Sequence, residues 1–210
     1  MARIFATQTK KHGTKYKHGV KVPKNYNEAV KFDQENGNSL WQDAVEREMG
    51  QILDFKTFKP LPKGSRPPKG HTYVPVHLCF EVKFDLQHKA HLVTGGNWTD
   101  PPDTDIYSGV VSIDSIRTAF LIAELNDLEV MAADVGNAYL HGYTKEKIYT
   151  VAGPEFGDLQ GLILICIKSL YSLKTSMGRW HEAMSETLRL IGFYPSKADP
   201  DLWMRDAGGH

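Results

Sequence analysis

The segment Ile113–Leu125 constrains the fold more than any other part of this 210-residue chain. It has the length of a helix, and residues 119–123 form an unbroken apolar run. Apolar side chains would therefore point in several directions around such a helix, and each needs cover from another element. We predict that this helix lies at the centre of the core.

Segments with helical and strand periodicity alternate along the rest of the chain. We predict further helices at 28–34, 40–54 and 177–191, and strands at 74–82, 89–94, 128–135, 147–151 and 162–167. Ser39 and Gln42 have the spacing of a capping box for the second helix. Pro75 favours an edge position for the first strand, because proline cannot donate a ladder hydrogen bond. The mixed order of elements predicts the α+β class.

One apolar stripe stands out on the predicted helix at 177–191. Its members recur at spacings of three and four, which is the period of one helix face, and they are Met177, Trp180, Met184, Leu188 and Ile191. Gly192 directly follows and is a typical helix terminator.

The composition is that of a globular protein, with 41% hydrophobic and 24% charged residues. No run of about 18 apolar residues occurs, and the first residues lack the apolar stretch of a secretory signal. We expect an intracellular protein, cytoplasmic or nuclear. Cys79 and Cys166 both fall in strand-like apolar segments, so we expect buried, reduced thiols rather than a disulfide.

The first 24 residues form a basic arm. They carry no acid and seven basic residues, namely Arg3, Lys10, Lys11, Lys15, Lys17, Lys21 and Lys24. Because the whole chain has zero net charge, the arm is +7 and the remainder is −7. Such an arm could bind nucleic acid by releasing counterions from phosphates. A solvated, partly disordered tail is the alternative.

Asp134 lies where the predicted strand at 128–135 ends, and small residues follow it at 136–138. A carboxylate there can hold a hard cation, while the backbone of Gly136, Asn137 and Ala138 can receive phosphate oxygens. The alternative is an aspartate that only begins a turn.

Three histidines lie close enough in the sequence to meet across the predicted hairpin, His77, His88 and His91, but dispersed surface histidines are the simpler interpretation. The chain has no Gly-rich phosphate loop.

Several short motifs occur in one order along the chain. They are Leu40-Trp41-Gln42-Asp43-Ala44 with Glu48-Met49, Lys89-Ala90-His91-Leu92-Val93, Asp134 to Leu140 with His141-Gly142, Ile148-Tyr149, Lys168-Ser169-Leu170-Tyr171-Ser172-Leu173-Lys174 with Arg179-Trp180, Gly192-Phe193 and Asp199-Pro200-Asp201. In this order they resemble the reverse-transcriptase domain of copia-type retrotransposons. The resemblance covers roughly residues 25 to 204.

The resemblance implies a fold and an activity. The fold would be a fingers lobe plus an incomplete ferredoxin-like palm: a basic arm at 1–24, a fingers-like lobe at 25–108 and a partial palm at 109–210. The activity of the family is RNA-directed DNA polymerisation with two Mg²⁺ ions, on an RNA template and a DNA primer.

The resemblance also implies roles for individual residues. Asp134 would be the first metal-binding carboxylate, and Val135 would offer its backbone carbonyl. Lys89 would reach the incoming triphosphate. Tyr139 would exclude a ribose 2′-hydroxyl by shape, although a core tyrosine is an equal alternative. Nucleic-acid contacts are expected from basic side chains in the arm and the palm: Lys10, Lys11, Lys15, Lys17, Lys168 and Lys174.

Three departures from the family pattern bear on activity. His91 replaces an arginine, and a neutral imidazole cannot form a bidentate phosphate contact. Ser172 replaces a glycine that could need a positive φ. The family's Tyr-Val-Asp-Asp hairpin has no counterpart, and no Asp-Asp pair occurs in these residues. We expect the chain alone to be an inactive polymerase fragment, or alternatively a non-catalytic binding or structural subunit retained in a larger assembly.

Without that hairpin, the strand ending at Asp134 loses its usual neighbour. We expect it at a sheet edge or in an unusual pairing, with Asp134 more exposed than a two-metal ligand. The edge could be covered by residues 193–204, by self-association or by a strand from a partner protein. The apolar helix at Ile113–Leu125 would then be left partly uncovered.

Overall fold

The computed structural model describes residues 15–95, 109–206 and 208. It divides the chain into two compact units, one of Met1–Met49 with His77–Leu92 and one of Gly50–Val76 with Val93–His210. The helices are α1 Tyr26–Asn36, α2 Leu40–Asp54, α3 Ile113–Leu125, α4 Ala138–His141 and α5 Ser176–Leu190. The strands are β1 Lys15–Lys17, β2 Val20–Val22, β3 Phe58–Pro60, β4 Thr72–Tyr73, β5 Val76–Val82, β6 His88–Thr94, β7 Ile148–Val151, β8 Ile163–Cys166, β9 Tyr194–Pro195 and β10 Trp203–Met204. The prediction of an α+β class is confirmed.

In the first unit the start of α2 packs beside the β5–β6 hairpin. Trp41 is 1% exposed, and its ring meets Phe80 and His88 edge to face, with centroids 5.6 and 4.2 Å apart. Along β5, Leu78, Phe80 and Val82 are buried while the residues between them are exposed. The alternation predicted from the sequence is therefore confirmed, and Pro75 falls just outside the two-stranded sheet.

The start of α2 differs from the capping box predicted with Ser39 and Gln42. Asp33, fully buried at the end of α1, accepts hydrogen bonds from the backbone N–H groups of Trp41 (3.1 Å) and Gln42 (2.8 Å). The Ser39 hydroxyl donates instead to the Asp43 carboxylate at 3.2 Å. The carboxylate accepts hydrogen bonds from two amides that have no partner within the helix, and its negative charge interacts favourably with the positive N-terminal end of the helix dipole. It therefore caps α2 in place of the Ser39 hydroxyl, which has no charge.

The second unit contains a four-stranded sheet in the order β3-β8-β7-β4. β8 pairs antiparallel with both β3 and β7, while β4 runs parallel to β7. One face of this sheet is core, with Ile148, Leu164 and Cys166 buried. The predicted strands at 147–151 and 162–167 are confirmed, although β8 buries alternate residues rather than all of them.

The two cysteines lie in different environments. Cys166 is buried, and burial raises the pKa of its thiol to about 12, with a further contribution from the charge of Glu146. Both thiols are free, but Cys79 is exposed, so its predicted burial was wrong. The physical reason is the strand period, because Cys79 alternates with the buried residues Leu78 and Phe80 on β5.

The prediction of a strand at residues 128–135 was wrong. These residues join no sheet of the described chain, and all of them are exposed. An extended segment becomes a strand only when a neighbour pairs with its backbone groups. Residues 193–204 do not supply that neighbour, since β9 and β10 pair with each other.

The helix α3 has the predicted bounds but not the predicted burial. Only Ala123 is buried, and its large apolar residues are exposed: Ile113, Ile116, Phe120, Leu121, Ile122 and Leu125. The expected patch is therefore present. On α5 the stripe is also largely open, with Met177 49% and Met184 40% exposed. Apolar faces are buried only against a second surface, and the described residues place no layer over these two.

The Asp199-Pro200-Asp201 motif ties the end of the chain to α3. Asp199 accepts hydrogen bonds from the Ser112 amide (2.8 Å) and the Ser115 hydroxyl (2.6 Å) at the N-terminus of α3. These bonds, led by the one from Ser115, lower the pKa of Asp199 from 3.8 to about 2. Asp201 in turn lies 2.7 Å from the His181 ring of α5.

Of the helices that the structure describes, none combines the length and apolar character needed to cross a bilayer.

Candidate functional site

Asp134 lies in the exposed segment that leads into α4. Within the described residues its carboxylate has no hydrogen-bond or ion-pair partner, and its exposure agrees with the expectation from the sequence. Val135 is 44% exposed and contributes to an apolar groove with His141 and one face of α5, which includes Trp180, Met184 and Leu188.

The small residues after Asp134 form the turn into α4. Asn137 has φ of 54°, a left-handed conformation that asparagine tolerates better than most residues. One turn later Leu140 is 1% exposed and anchors α4 in the core. Gly136 is exposed while Asn137 and Ala138 are half-buried, and the phosphate role predicted for this backbone stays a prediction.

Tyr139 brings two of the sequence motifs together. Its ring lies 5.1 Å from the ring of Tyr171, edge to face. The Tyr171 carbonyl accepts hydrogen bonds from both the amide and the hydroxyl of Thr94, each at 3.0 Å. Tyr139 is half-buried and packs against the Tyr171 ring. Its predicted contact with a ribose stays a prediction.

Ser172 adopts a φ of 72°. This is the left-handed conformation that the family's glycine would adopt without strain, whereas a residue with a Cβ is strained in it. Its neighbours Leu170 and Leu173 are buried and hold the turn in place. The concern raised by this departure from the family pattern is therefore justified at the level of the backbone.

Gly142 and Arg179, which belong to two different motifs of the set, lie at a close crossing of the backbone. A Cβ at Gly142 would approach the carbonyl carbon of Arg179 to 2.9 Å, which is too close for any other residue. Arg179 is 6% exposed and binds both carboxylate oxygens of Glu182, at 3.0 and 2.7 Å. The sequence contained both residues but gave no sign that they touch.

The other predicted nucleotide-binding position lies in the first unit. On β6, Lys89 is half-buried, and the ring nitrogen Nδ1 of His91 lies 3.6 Å from the Glu48 carboxylate. Glu48 is itself buried and accepts a hydrogen bond from the Leu92 amide at 2.9 Å. His91 is therefore directed toward an internal acid. Glu48 is a residue whose importance sequence reasoning missed, although it belonged to the motif set.

The lysines predicted to contact nucleic acid lie in different surroundings. Lys10 and Lys11 lie outside the described residues. Lys17 on β1 pairs with Glu81 and holds the pKa of that carboxyl below its ordinary value. Residues 15–22 form a β-hairpin rather than a tail. Lys15 and Lys174 are exposed, and Lys168 lies 3.5 Å above the ring of Tyr143.

In the part of the chain that the structure describes, no group of three His, Cys, Asp or Glu side chains is placed to hold a metal ion. Asp134 and Val135 would supply one carboxylate and one backbone carbonyl, whereas a pair of ions about 3.5 to 4 Å apart requires bridging carboxylates.

A family model described as Reverse transcriptase (RNA-dependent DNA polymerase) matches residues 57–210, which is most of the chain and includes the Asp134 and Ser172 motifs. The chain belongs to this reverse transcriptase family. The copia-type resemblance read from the sequence is confirmed by relatives of the same kind.

One such relative is the Retrovirus-related Pol polyprotein from transposon TNT 1-94 of Nicotiana tabacum, which is 32% identical over 174 residues. Another is the Transposon Ty1-BL Gag-Pol polyprotein of Saccharomyces cerevisiae, 27% identical over 175 residues. The matches cover 77% and 80% of this reverse-transcriptase chain but only 13% and 10% of the two polyproteins. No solved structure matches the chain.

Proposed function

We propose that this chain is the fingers and part of the palm of an RNA-directed DNA polymerase from a copia-type retrotransposon, and that these 210 residues alone do not extend primers. In this proposal residues 1–24 are a basic arm, 25–108 the fingers-like lobe and 109–210 the partial palm. The expected setting is intracellular, cytoplasmic or nuclear.

The observation that carries the proposal is the state of Asp134. By family resemblance it would be the first of the carboxylates that hold Mg²⁺, yet here it is exposed and belongs to no group of three metal-binding side chains among the described residues. One carboxylate cannot hold two ions against the primer 3′-hydroxyl and the triphosphate. The pairing of Tyr139 with Tyr171 supports the polymerase architecture, because it joins the Asp134 motif to the Ser172 motif.

Primer extension on an RNA template tests this proposal. With Mg²⁺ or Mn²⁺ we expect no extension by the purified chain. Extension that Asp134→Ala abolishes, and that the exposed control Asp158→Ala retains, would contradict it. Extension that survives Asp134→Ala would come from a contaminant.

A second experiment tests whether the departures from the family pattern at His91 and Ser172 prevent catalysis. The chain is fused to the hairpin segment that carries Tyr-Val-Asp-Asp in the family. Extension that depends on Asp134 would show that both residues are compatible with catalysis. Absence of extension would direct attention to His91→Arg and Ser172→Gly in the same fusion.

Nucleic-acid binding by the arm is part of the proposal. We expect sequence-independent affinity that falls steeply with salt, since lysines contact phosphates and no base-reading motif is evident. Removing residues 1–14 is the sharper deletion, because Val22 of the following hairpin is buried. Unchanged binding after this deletion would leave the remaining lysines of the arm, such as Lys15, and the palm lysines Lys168 and Lys174 as the candidate contacts.

The exposed apolar faces of α3 and α5 favour a second candidate, a non-catalytic subunit that binds another protein. A protein partner that covers Leu121 and Met184 in a complex would support this candidate over a polymerase fragment.

A further inference from the structure

The groove beside α5 is apolar and open to solvent. It has a volume of about 380 Å³, which is the size of a pocket that holds a ligand or several side chains. Its lining comes from Val135, His141 and one face of α5: Trp180, Ala183, Met184, Thr187 and Leu188. The one hydroxyl in this lining, on Thr187, already donates to the Ala183 carbonyl at 2.9 Å. The groove therefore favours an apolar occupant.

The helix α3 lies in the same unit and carries apolar side chains that are not covered. Phe120, Leu121 and Ile122 are 54%, 59% and 51% exposed. With 13 residues, α3 is about 20 Å long. The groove extends along α5 from Trp180 to Leu188, which is about 12 Å. A single helix such as α3 is therefore long enough to cover it.

The N-terminus of α3 is anchored beside this groove. Asp199 accepts the hydroxyl hydrogen bond of Ser115 in the first turn of α3, at 2.6 Å. Asp201 lies 2.7 Å from the ring of His181, which adjoins the groove residue Trp180 on α5. We call Asp199 to Asp201 the strap. Through the strap, one end of α3 is held close to one end of the groove.

The other end of α3 leads directly to the groove. The helix ends at Leu125, and Asp127 has φ of 52°, which breaks the helical path. Residues 128–135 follow, all of them exposed, and they pair with no strand in the described part of the chain. They end at Val135, which lines the groove, and the chain from Asn126 to Val135 can span at most about 32 Å. No buried contact of this segment has to break for α3 to move.

We propose that α3 is a lid that closes over the apolar groove of α5, with the strap as its anchor and residues 127–135 as its hinge. The structure shows the open position, in which both apolar surfaces face solvent. Closing removes both surfaces from water, which is favourable in proportion to the apolar area buried. Because both ends of α3 are tied near the groove, closing is an intramolecular step that dilution does not weaken.

The lid goes beyond the proposed polymerase function and does not rest on it. It uses neither Asp134 nor a metal ion, and it is measured without primer or template. Primer extension and lid closure can therefore fail independently of each other.

Distances between two nitroxide labels, measured by double electron–electron resonance, test the lid. One label is attached to α3 at Thr118→Cys and one to α5 at Glu186→Cys, both exposed and outside the groove lining. Cys79→Ser removes the exposed native thiol, whereas Cys166 is buried with a thiol pKa of about 12 and stays unlabelled near neutral pH. We expect two populations, one at the distance of the open structure and one shorter.

Two charged substitutions on α5 separate closure over the groove from a general loss of apolar surface. Met184→Lys places a charge in the groove and should abolish the shorter population. Leu190→Lys adds the same charge at an apolar residue that is 87% exposed and outside the groove, so the shorter population should remain unchanged. Circular dichroism checks that both variants are folded.

The anchor is tested by Asp199→Asn combined with Ser115→Ala. These changes weaken the hold of the strap on α3, so the distance distribution should broaden and the shorter population should decrease. Asp114→Asn removes an acid of the same helix turn whose side chain is 90% exposed, and it should leave both populations unchanged.

A single population at the open distance in the native chain would overturn the proposal, as would a shorter population that Leu190→Lys removes as well as Met184→Lys. It would also be overturned if the shorter population disappeared on dilution of the labelled chain with an excess of unlabelled chain. The contact would then join two copies rather than α3 and α5 of one chain.

Discussion

Ser172 shows how one departure from a family pattern can strain the backbone at that residue. A glycine adopts its φ of 72° freely, but a Cβ in the left-handed region meets the following carbonyl. The turn is kept because Leu170 and Leu173 on either side are buried. The strain therefore stays local and is offset by packing.

We expect Ser172→Gly to raise the free energy of unfolding by about 1 kcal/mol, because it removes this strain. Ser172→Ala keeps a Cβ and should remain within about 0.5 kcal/mol of the native chain. Urea denaturation of the three chains measures both. Equal stability of the Gly and Ala variants would show that the backbone is not strained here.

Asp199 makes the stability of the second unit depend on pH. Its folded pKa is about 2, below the ordinary 3.8, so the carboxylate stabilises the fold above pH 3.8. That contribution is lost as the pH falls through about 2. We expect Asp199→Asn to flatten the acid limb of a stability-against-pH curve. Ser115→Ala, which removes the strongest hydrogen bond, should flatten it in part, and an unchanged limb in both would contradict the assignment.

At the scale of elements, the bounds of α2 follow from its own sequence, whereas its N-terminal cap is a side chain of the preceding helix. Asp33 comes from α1, eight positions before Trp41, and reaches two amides at the start of α2. We expect Asp33→Ala to lower the free energy of unfolding by about 1 to 2 kcal/mol, the range for losing an N-cap.

Ser39→Ala is the matched control for that helix start, because Ser39 is the cap that the sequence predicts. It should change stability by less than about 0.5 kcal/mol. Thermal unfolding followed by circular dichroism compares the two variants. A larger loss from Ser39→Ala than from Asp33→Ala would restore the capping box.

At the scale of the whole molecule, apolar surface remains uncovered on the second unit. α3, the segment 128–135 and α5 all expose large apolar side chains, such as Leu121, Met131 and Met184. Monomeric proteins seldom leave large apolar patches open, and such patches promote association.

We expect the chain to self-associate as its concentration rises, and Leu121→Lys to shift it toward monomer. Thr118→Lys adds the same charge to an exposed polar position of α3 and should leave association unchanged. Sedimentation velocity distinguishes them. A native chain that stays monomeric at every concentration would show that the patch is harmless.

The sequence by itself determined the features that depend on neighbours along the chain. The bounds of α2 and α3, the β5–β6 hairpin and the order of the reverse-transcriptase motifs follow from periodicity, turn residues and short motifs. The exposure of Cys79 could also have been predicted from the alternation of buried and exposed residues along β5, although its apolar neighbours suggested burial.

Only the tertiary structure decided which surfaces are covered and which residues meet. α3 looked like a core helix and is exposed, because burial requires a second surface that composition cannot reveal. Residues 128–135 have strand propensity but pair with no strand in the part of the chain that the structure describes. The Asp33 cap, the approach of Gly142 to Arg179 and the hydrogen bond from Ser115 to Asp199 depend on distances between residues far apart in the chain. Those distances are set by packing and strand register, and no local pattern contains them.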